Sequence, residues 1–278
     1  MVRAALPAVP GVNLLPGVRR TGGDLPDVTL SREGVAVDPG HVASYAALCG
    51  FPRKDTLPLP YPHLLAFGLH LEIMTSSGFP FPAIGTVHLE NSVTQHRPIA
   101  LTERLDVTAH PVHLRPHPKG QVFDMLTSVH AEGELVWEET STFLRRGPGD
   151  EGAPGGASFP DAPAHGLEWS LPADLGRRYA AVSGDRNPIH LYALTAKAFG
   201  FPRQIAHGMW SLARCVGALE NRLPDGVRVD VAFKTPVLLP GSVAFGSRPT
   251  DDGWAFSLSS PRSGAPHLAG AAVRLGGA

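Results

Sequence analysis

The sequence predicts an α+β chain in which one unit is built twice, and three observations carry that expectation. An order of helix, loop, longer helix and four strands occurs between residues 38 and 145 and returns between 172 and 274. The stretch Tyr45-Ala46-Ala47-Leu48-Cys49-Gly50 is echoed by Tyr179-Ala180-Ala181-Val182-Ser183-Gly184. Between the copies, residues 146–166 are dominated by Gly, Pro, Ala and Asp, a composition that cannot bury a core and reads as a linker. With 278 residues, 43% of them hydrophobic, the chain can bury one large core or two modest ones.

Taken in order, residues 1–34 are rich in Pro, Gly and Val without sustained periodicity and read as an extended arm. Met1 to Leu6 imitates the start of a secretion signal, but Pro7, Pro10 and Pro16 break the apolar helix that such a signal needs. From Asp38 the spacing turns helical through His41 to Leu48, and Gly50 stops it. Pro58, Pro60 and Pro62 make a loop, and His63 to Ser77 then carries Leu64, Leu65, Phe67, Leu69, Leu71 and Ile73, which suits a helix buried on most sides. Strands are expected near 85–94, 103–115, 121–132 and 135–145, with Gly120 and Gly133 where hairpins turn. In the second copy, helices are expected from Pro172 to Ser183, near Leu194 to Phe199 and from His207 to about Asn221. Strands should follow near 227–236, 242–249, 254–260 and 267–274. The resulting organisation is an arm (1–34), a first half (35–145), the linker (146–166) and a second half (167–278).

Composition removes several classes of function. A formal net charge of -1 with no Lys/Arg run leaves no footprint for nucleic acid. Gly, Pro or charged residues punctuate every hydrophobic run, so no membrane-spanning helix is expected. Cys49 and Cys215 lie far apart without metal or disulfide spacing, which favours two buried thiols and a cytoplasmic setting.

The two copies differ at one place that bears chemistry. After Gly50 the first reads Phe51-Pro52-Arg53-Lys54-Asp55; after Gly184 the second reads Asp185-Arg186-Asn187-Pro188-Ile189-His190. A helix ending at Gly184 releases Asp185 into the loop, and Pro188 restrains Asn187, so carboxylate and imidazole can face one small volume and share a water. Asn187 offers a donor and an acceptor to lock that geometry. His207-Gly208 opens the next long helix, whose first N–H groups lack intrahelical partners, and Gly208 would let a thioester carbonyl approach its N–H. The same residues also read as ordinary turn and capping chemistry.

The pattern Tyr-x-x-x-Ser-Gly-Asp-x-Asn-Pro-Ile-His, followed by Gly-Phe and Ile-Ala-His-Gly-Met, resembles the hydratase motif of the MaoC-like family of (R)-specific enoyl-CoA hydratases and hydroxyacyl-thioester dehydratases. The match is specific from Tyr179 to Leu212, and the duplicated layout extends a weaker similarity over nearly the whole chain. The resemblance implies a double hotdog fold, two antiparallel sheets each wrapped around a long helix. It implies that Asp185 and His190 hold the catalytic water, that Asn187 supports them, and that the Gly208 N–H binds the thioester oxygen. It further implies a CoA or acyl-carrier-protein thioester as substrate, and neither a metal nor an organic cofactor. One departure is Tyr192, where the family often has an acidic residue. His207, Met209 and Phe67 are expected substrate contacts, with the first half, including Ile73 and Met74, walling the acyl chain. One chain already makes the pseudo-dimer that hotdog pairing requires, and a homodimer of such chains is compatible with it.

Three rivals stand beside this reading. His110, His113 and His117 form a cluster with metal-like separation, though Pro111 and Pro116 place it at a strand end without a completing Cys or carboxylate. A thioesterase could use a single carboxylate with a helix-start donor. A non-catalytic acyl-thioester-binding subunit would bind without turnover.

Overall fold

The computed structural model describes residues 23–83 and 85–276. The secretion-signal reading and most of the expected arm fall at residues outside these.

The first half contains β1 (Leu30–Ala36), α1 (Pro39–Cys49), α2 (Pro62–Thr75), β2 (Thr86–Gln95), β3 (Arg104–His117), β4 (Gly120–Ala131) and β5 (Glu134–Arg146). The second contains β6 (Leu167–Leu171), α3 (Leu175–Ser183), α4 (Pro188–Leu191), α5 (Ala193–Ala198), α6 (Gly208–Leu219), β7 (Val227–Phe233), β8 (Gly241–Pro249), β9 (Gly253–Ser259) and β10 (Pro266–Arg274). All pairings are antiparallel, and the strand order is β1-β3-β4-β5-β2-β7-β10-β9-β8-β6. Read outward from the centre, β2-β5-β4-β3-β1 and β7-β10-β9-β8-β6 have the same connectivity. The two expected sheets are therefore halves of one continuous ten-stranded sheet, and α2 and α6 are the long helices of the double hotdog.

The halves join where β2 pairs with β7, Ser92 opposite Asp230 and Val93 opposite Val229, and the Ser92 hydroxyl donates to Asp230 Oδ1 at 2.6 Å. Continuity of the sheet leaves the inner edges of both halves paired rather than open. Tyr45 and Tyr179, the echoed tyrosines, are both fully buried with ring centroids 6.3 Å apart, so the shorter helices α1 and α3 meet across the same joint.

Local chemistry explains the elements. The Asp38 carboxylate accepts from the Gly40 N–H at 2.9 Å and caps α1, while Gly50 (φ 78°) and Gly184 (φ 76°) end α1 and α3 in the left-handed conformation that a side chain disfavours. α2 is nearly uniformly apolar because its His63, Ala66, Leu69, His70 and Ile73 face the half-sheet, and the Trp137 indole N–H fixes the loop before it by donating to Leu59 O at 2.9 Å.

Two strands went unexpected. β1 straddles the expected edge of the arm at residue 34 and is an edge strand, mostly exposed, with Gly34 in its interior, so it shows little alternation. β6 does alternate, with Trp169 and Leu171 inward, and its pairing with β8 moves the start of the following helix from Pro172 to Leu175. The linker is tied to the second half: Ser257 Oγ donates to Pro163 O at 2.7 Å, and Arg248 and Ser259 bond the carbonyls of Asp161 and Ala164.

Candidate active site

Gly184 turns the chain out of α3, and three short-range hydrogen bonds shape the loop that leads to α4. The Asp185 N–H donates to Ser183 Oγ at 3.2 Å, the Asn187 N–H to Asp185 Oδ1 at 3.0 Å, and the Ile189 N–H to Asn187 Oδ1 at 3.4 Å. Asn187, extended before Pro188 (ψ 125°), is thereby the N-cap of α4, a single turn that carries His190. One Asp185 oxygen is committed to the turn; its side chain is 29% exposed, whereas His190 and His207 are buried.

His190 is oriented by the segment before α6. Its Nδ1–H donates to Ile205 O at 2.8 Å, and since a carbonyl can only accept, the neutral ring keeps its free lone pair on Nε2. α4 lies so close to α3 that a Cβ at Gly176 would collide with His190 O. His207, the N-cap of α6, stacks against His190 with ring centroids 3.7 Å apart, donates from Nε2 to Asp185 O at 3.1 Å, and has Nε2 3.7 Å from Asp185 Oδ2. The second imidazole thus pins the Asp185 turn from beneath.

These contacts set the charges. Burial holds His190 below the ordinary imidazole value, with Asp185 and the Ile205 carbonyl opposing it only in part. Burial, reinforced by His190, lowers His207 to about 3. Burial alone would raise the Asp185 carboxyl, but His207, His190 and the Asn187 N–H outweigh it and bring it below the usual range. At neutral pH the site therefore holds a carboxylate beside an uncharged imidazole.

Ligand atoms of Asp185, His190 and His207 lie within 4.8 Å of one another, a separation that a metal could use. Yet in-plane lone pairs of rings stacked at 3.7 Å and tilted by only 24° do not converge on an ion roughly 2 Å from each nitrogen. His110, His113 and His117 do not assemble among the described residues: His113 has φ 56° and turns to Asp124 (3.2 Å), and His117 Nδ1 accepts from the Lys119 N–H.

Gly208 is the first residue of α6, so its N–H lacks an intrahelical acceptor. A Cβ there would lie 3.2 Å from the Phe233 ring, so any side chain would need that ring to give by a few tenths of an ångström. Phe67, on α2 of the other half, lies 3.9 Å from where a Gly184 side chain would begin. Of the other two expected contacts, Met209 belongs to the hydrophobic core and His207 is the buried support of the Asp185 turn; Ile73 and Met74 are likewise core residues. Tyr192 is exposed, its ring 5.1 Å from the Arg177 guanidinium, which itself donates to Leu191 O. Sequence reasoning missed Ile205 and Gly176; a glycine inside a short helix was the signal available for the latter.

Residues 162–248 match the family model described as the MaoC like domain. The chain is 40% identical over 257 residues, 91% of each chain, to 3-hydroxyacyl-thioester dehydratase X of Mycobacterium tuberculosis. It is 31% identical over 110 residues, 38% of each chain, to enoyl-CoA hydratase ChsH3 of the same organism. The solved structure of M. tuberculosis HtdX superposes with a TM-score of 0.80 at 37% identity, over 89% of this chain and 100% of that one. A MaoC-like dehydratase from Phytophthora capsici shares the fold at TM-score 0.72 and 21% identity, over 91% and 96% of the two chains. With the hydratase-like turn, the duplicated hotdog halves and this extent of identity together, the chain belongs to the MaoC-like dehydratase family.

Proposed function

We propose that the chain is a hydro-lyase that interconverts trans-2-enoyl and (R)-3-hydroxyacyl thioesters. The observation that carries this reading is the Asp185 carboxylate beside a neutral His190 whose free nitrogen is Nε2, with the Gly208 N–H, which has no intrahelical acceptor, following His207 at the start of α6. The named activities of the M. tuberculosis relatives, a 3-hydroxyacyl-thioester dehydratase and an enoyl-CoA hydratase, support the same reaction class.

In the dehydration direction, the Gly208 N–H donates to the thioester carbonyl oxygen and stabilises negative charge as the C2–H bond breaks. His190 Nε2 takes the C2 proton and returns it to the 3-hydroxyl as the C3–O bond breaks, releasing water and the enoyl thioester. Asp185 accepts a hydrogen bond from that hydroxyl and stabilises the transient imidazolium. Hydration reverses each step, the water oxygen bonding C3 and its proton reaching C2 on the same face. Asn187 and His207 act through the turn that they hold. Neither the reaction nor this assignment of roles requires a redox cofactor.

The handle of the thioester is CoA or an acyl carrier protein. Among the described residues no helix is long and apolar enough to cross a membrane. The test is a short trans-2-enoyl-CoA incubated with the protein: loss of the enone absorbance without release of free thiol is the expected result. Free CoA with the enone intact favours a thioesterase, and binding with neither change favours a non-catalytic subunit.

A further inference from the structure

The first half contains a buried ionic cluster that the proposed reaction does not use. Glu139 on β5 has a fully buried side chain, and His63 Nδ1 on α2 lies 2.9 Å from both its oxygens. Asn91 Nδ2 on β2 donates to Glu139 Oε1 at 2.7 Å and contacts Ser141 Oγ at 3.0 Å. Burial would raise Glu139 and lower His63, but each outweighs that for the other: Glu139 is brought down to about 2 and His63 is raised. Nδ1 is spent on the carboxylate, so the proton free for another partner is on Nε2, and no hydrogen bond joins Nε2 to a protein atom among the described residues.

This cluster borders the candidate active site. A side chain at Gly184 would begin 3.9 Å from Phe67; the Phe67 ring centroid lies 6.1 Å from that of His63, His63 lies 6.4 Å from the stacked His88, and His88 lies 5.0 Å from Phe233. The Phe233 ring lies 3.2 Å from where a Gly208 side chain would begin, and His207 returns the circuit to Asp185. His63 therefore belongs to the wall that faces the turn and the α6 start from the other half. A wall serving a plain hydrocarbon chain gains nothing from an ion pair, whose desolvation an apolar pair of similar volume avoids.

We propose that His63, held by Glu139, is a specificity-determining hydrogen-bond donor in the acyl-binding wall, and that this wall takes an acyl thioester whose chain carries a hydroxyl or keto oxygen beyond C3. The inference rests on the reading that a thioester occupies the space before Gly208. Imidazolium donating to a neutral oxygen away from water is worth at least about 10-fold in affinity.

The test is calorimetry on the full chain with saturated acyl-CoA thioesters of equal length, one plain and the others bearing a hydroxyl or keto oxygen at successive carbons past C3. One oxygenated position is expected to bind at least about 10-fold more tightly than the plain chain. His63→Leu should bring the ratio to about one, while His63→Gln, which keeps an N–H donor, should retain part of it. Glu139→Gln, isosteric and still able to hydrogen-bond, serves as a second variant should His63→Leu fail to fold, and lowers the same ratio. A ratio within about twofold at every position, or a preference that survives His63→Leu, overturns the proposal. Saturated thioesters cannot be hydrated, so these ratios decide the matter independently of turnover; failure of the proposed reaction is read separately, from an enone absorbance that does not change.

Discussion

The two halves share a strand order, a glycine-ended short helix and a long helix against the sheet, yet they differ at every position that the proposed chemistry needs. Where the second half continues Gly184 with the half-buried Asp185, the first continues Gly50 with Phe51, buried in the core. Where α6 opens on Gly208, α2 opens on Pro62, which has no N–H to offer an oxyanion. His207 stacks beneath His190, while Tyr61, the residue before α2, turns its hydroxyl to His41 Nδ1 at 2.8 Å. The first half keeps a buried carboxylate, but on its sheet, as Glu139, whereas β10, the matching strand, has no acidic residue. The scaffold thus occurs twice, and helix starts and loop residues, rather than strands, decide which copy holds the turn, the proposed base and the proposed oxyanion donor.

The largest effects expected come from making the second half resemble the first at its loop. Asp185→Asn and His190→Ala should each lower kcat on a trans-2-enoyl-CoA by about 10³-fold or more with the circular dichroism unchanged. Activity within tenfold of the parent in either variant would remove that residue from the mechanism. Next, Gly208→Pro installs the helix start of the first half. Proline suits the first helical position, but its missing N–H should cost about 10²-fold in kcat. Gly208→Ala, which keeps the N–H while crowding Phe233, separates the lost donor from the crowding: if it is as slow as the proline variant, packing rather than hydrogen bonding is responsible.

A smaller loss, about 10-fold, is expected for Gly176→Ala, because its Cβ must push the His190 turn away and a small misplacement of a base is costly. kcat should fall more than KM rises. The reciprocal graft, Phe51→Asp, should yield no second active site, since Pro62 still lacks a donor, and should destabilise the chain by about 3 kcal/mol through loss of a buried aromatic. Any gain of turnover in an Asp185→Asn background would refute the comparison.

Acid should act on both halves together. His190, His207 (about 3), His70 (about 3) and His88 (about 4) have folded values below the ordinary imidazole value of about 6.5. As pH falls through that value the unfolded chain takes up protons that the folded chain refuses, so stability declines progressively toward pH 4. His63, raised by Glu139, has the opposite sign: its contribution is complete below about 6.5 and fades as pH rises through its folded value. The midpoint of thermal melting should therefore drop between pH 6.5 and 4. kcat/KM should stay level through pH 7 and fall only on the acid side of 6.5, where His190 begins to be protonated. A rate that falls with rising pH between 6 and 8 would contradict a neutral base.

Much of this architecture was legible because it depends on local chemistry. Alternation marked β3, glycines marked the turns between strands, apolar density marked α2, and Gly50 and Gly184 marked helix ends, since each reflects a period or a backbone preference acting over a few residues. The turn from Asp185 to His190 was legible for the same reason: capping, proline restraint and the left-handed glycine are properties of adjacent residues. β1 was hidden because an exposed edge strand needs little alternation, and β6 because five residues before a helix start merge with it.

What only the tertiary structure decided are contacts between residues far apart in the chain. His63 and Glu139 are separated by 76 positions, His190 is oriented by Ile205 from 15 positions away, and Phe67 reaches the Asp185 turn from the other half. Sequence by itself determined two halves and the one furnished with an acid, a base and a glycine-led helix. Folding decided the tautomer and charge of His190, because burial and the partner of Nδ1 set them. It also decided how the halves meet, because pairing β2 with β7 joins the sheets and brings α1 against α3 through Tyr45 and Tyr179.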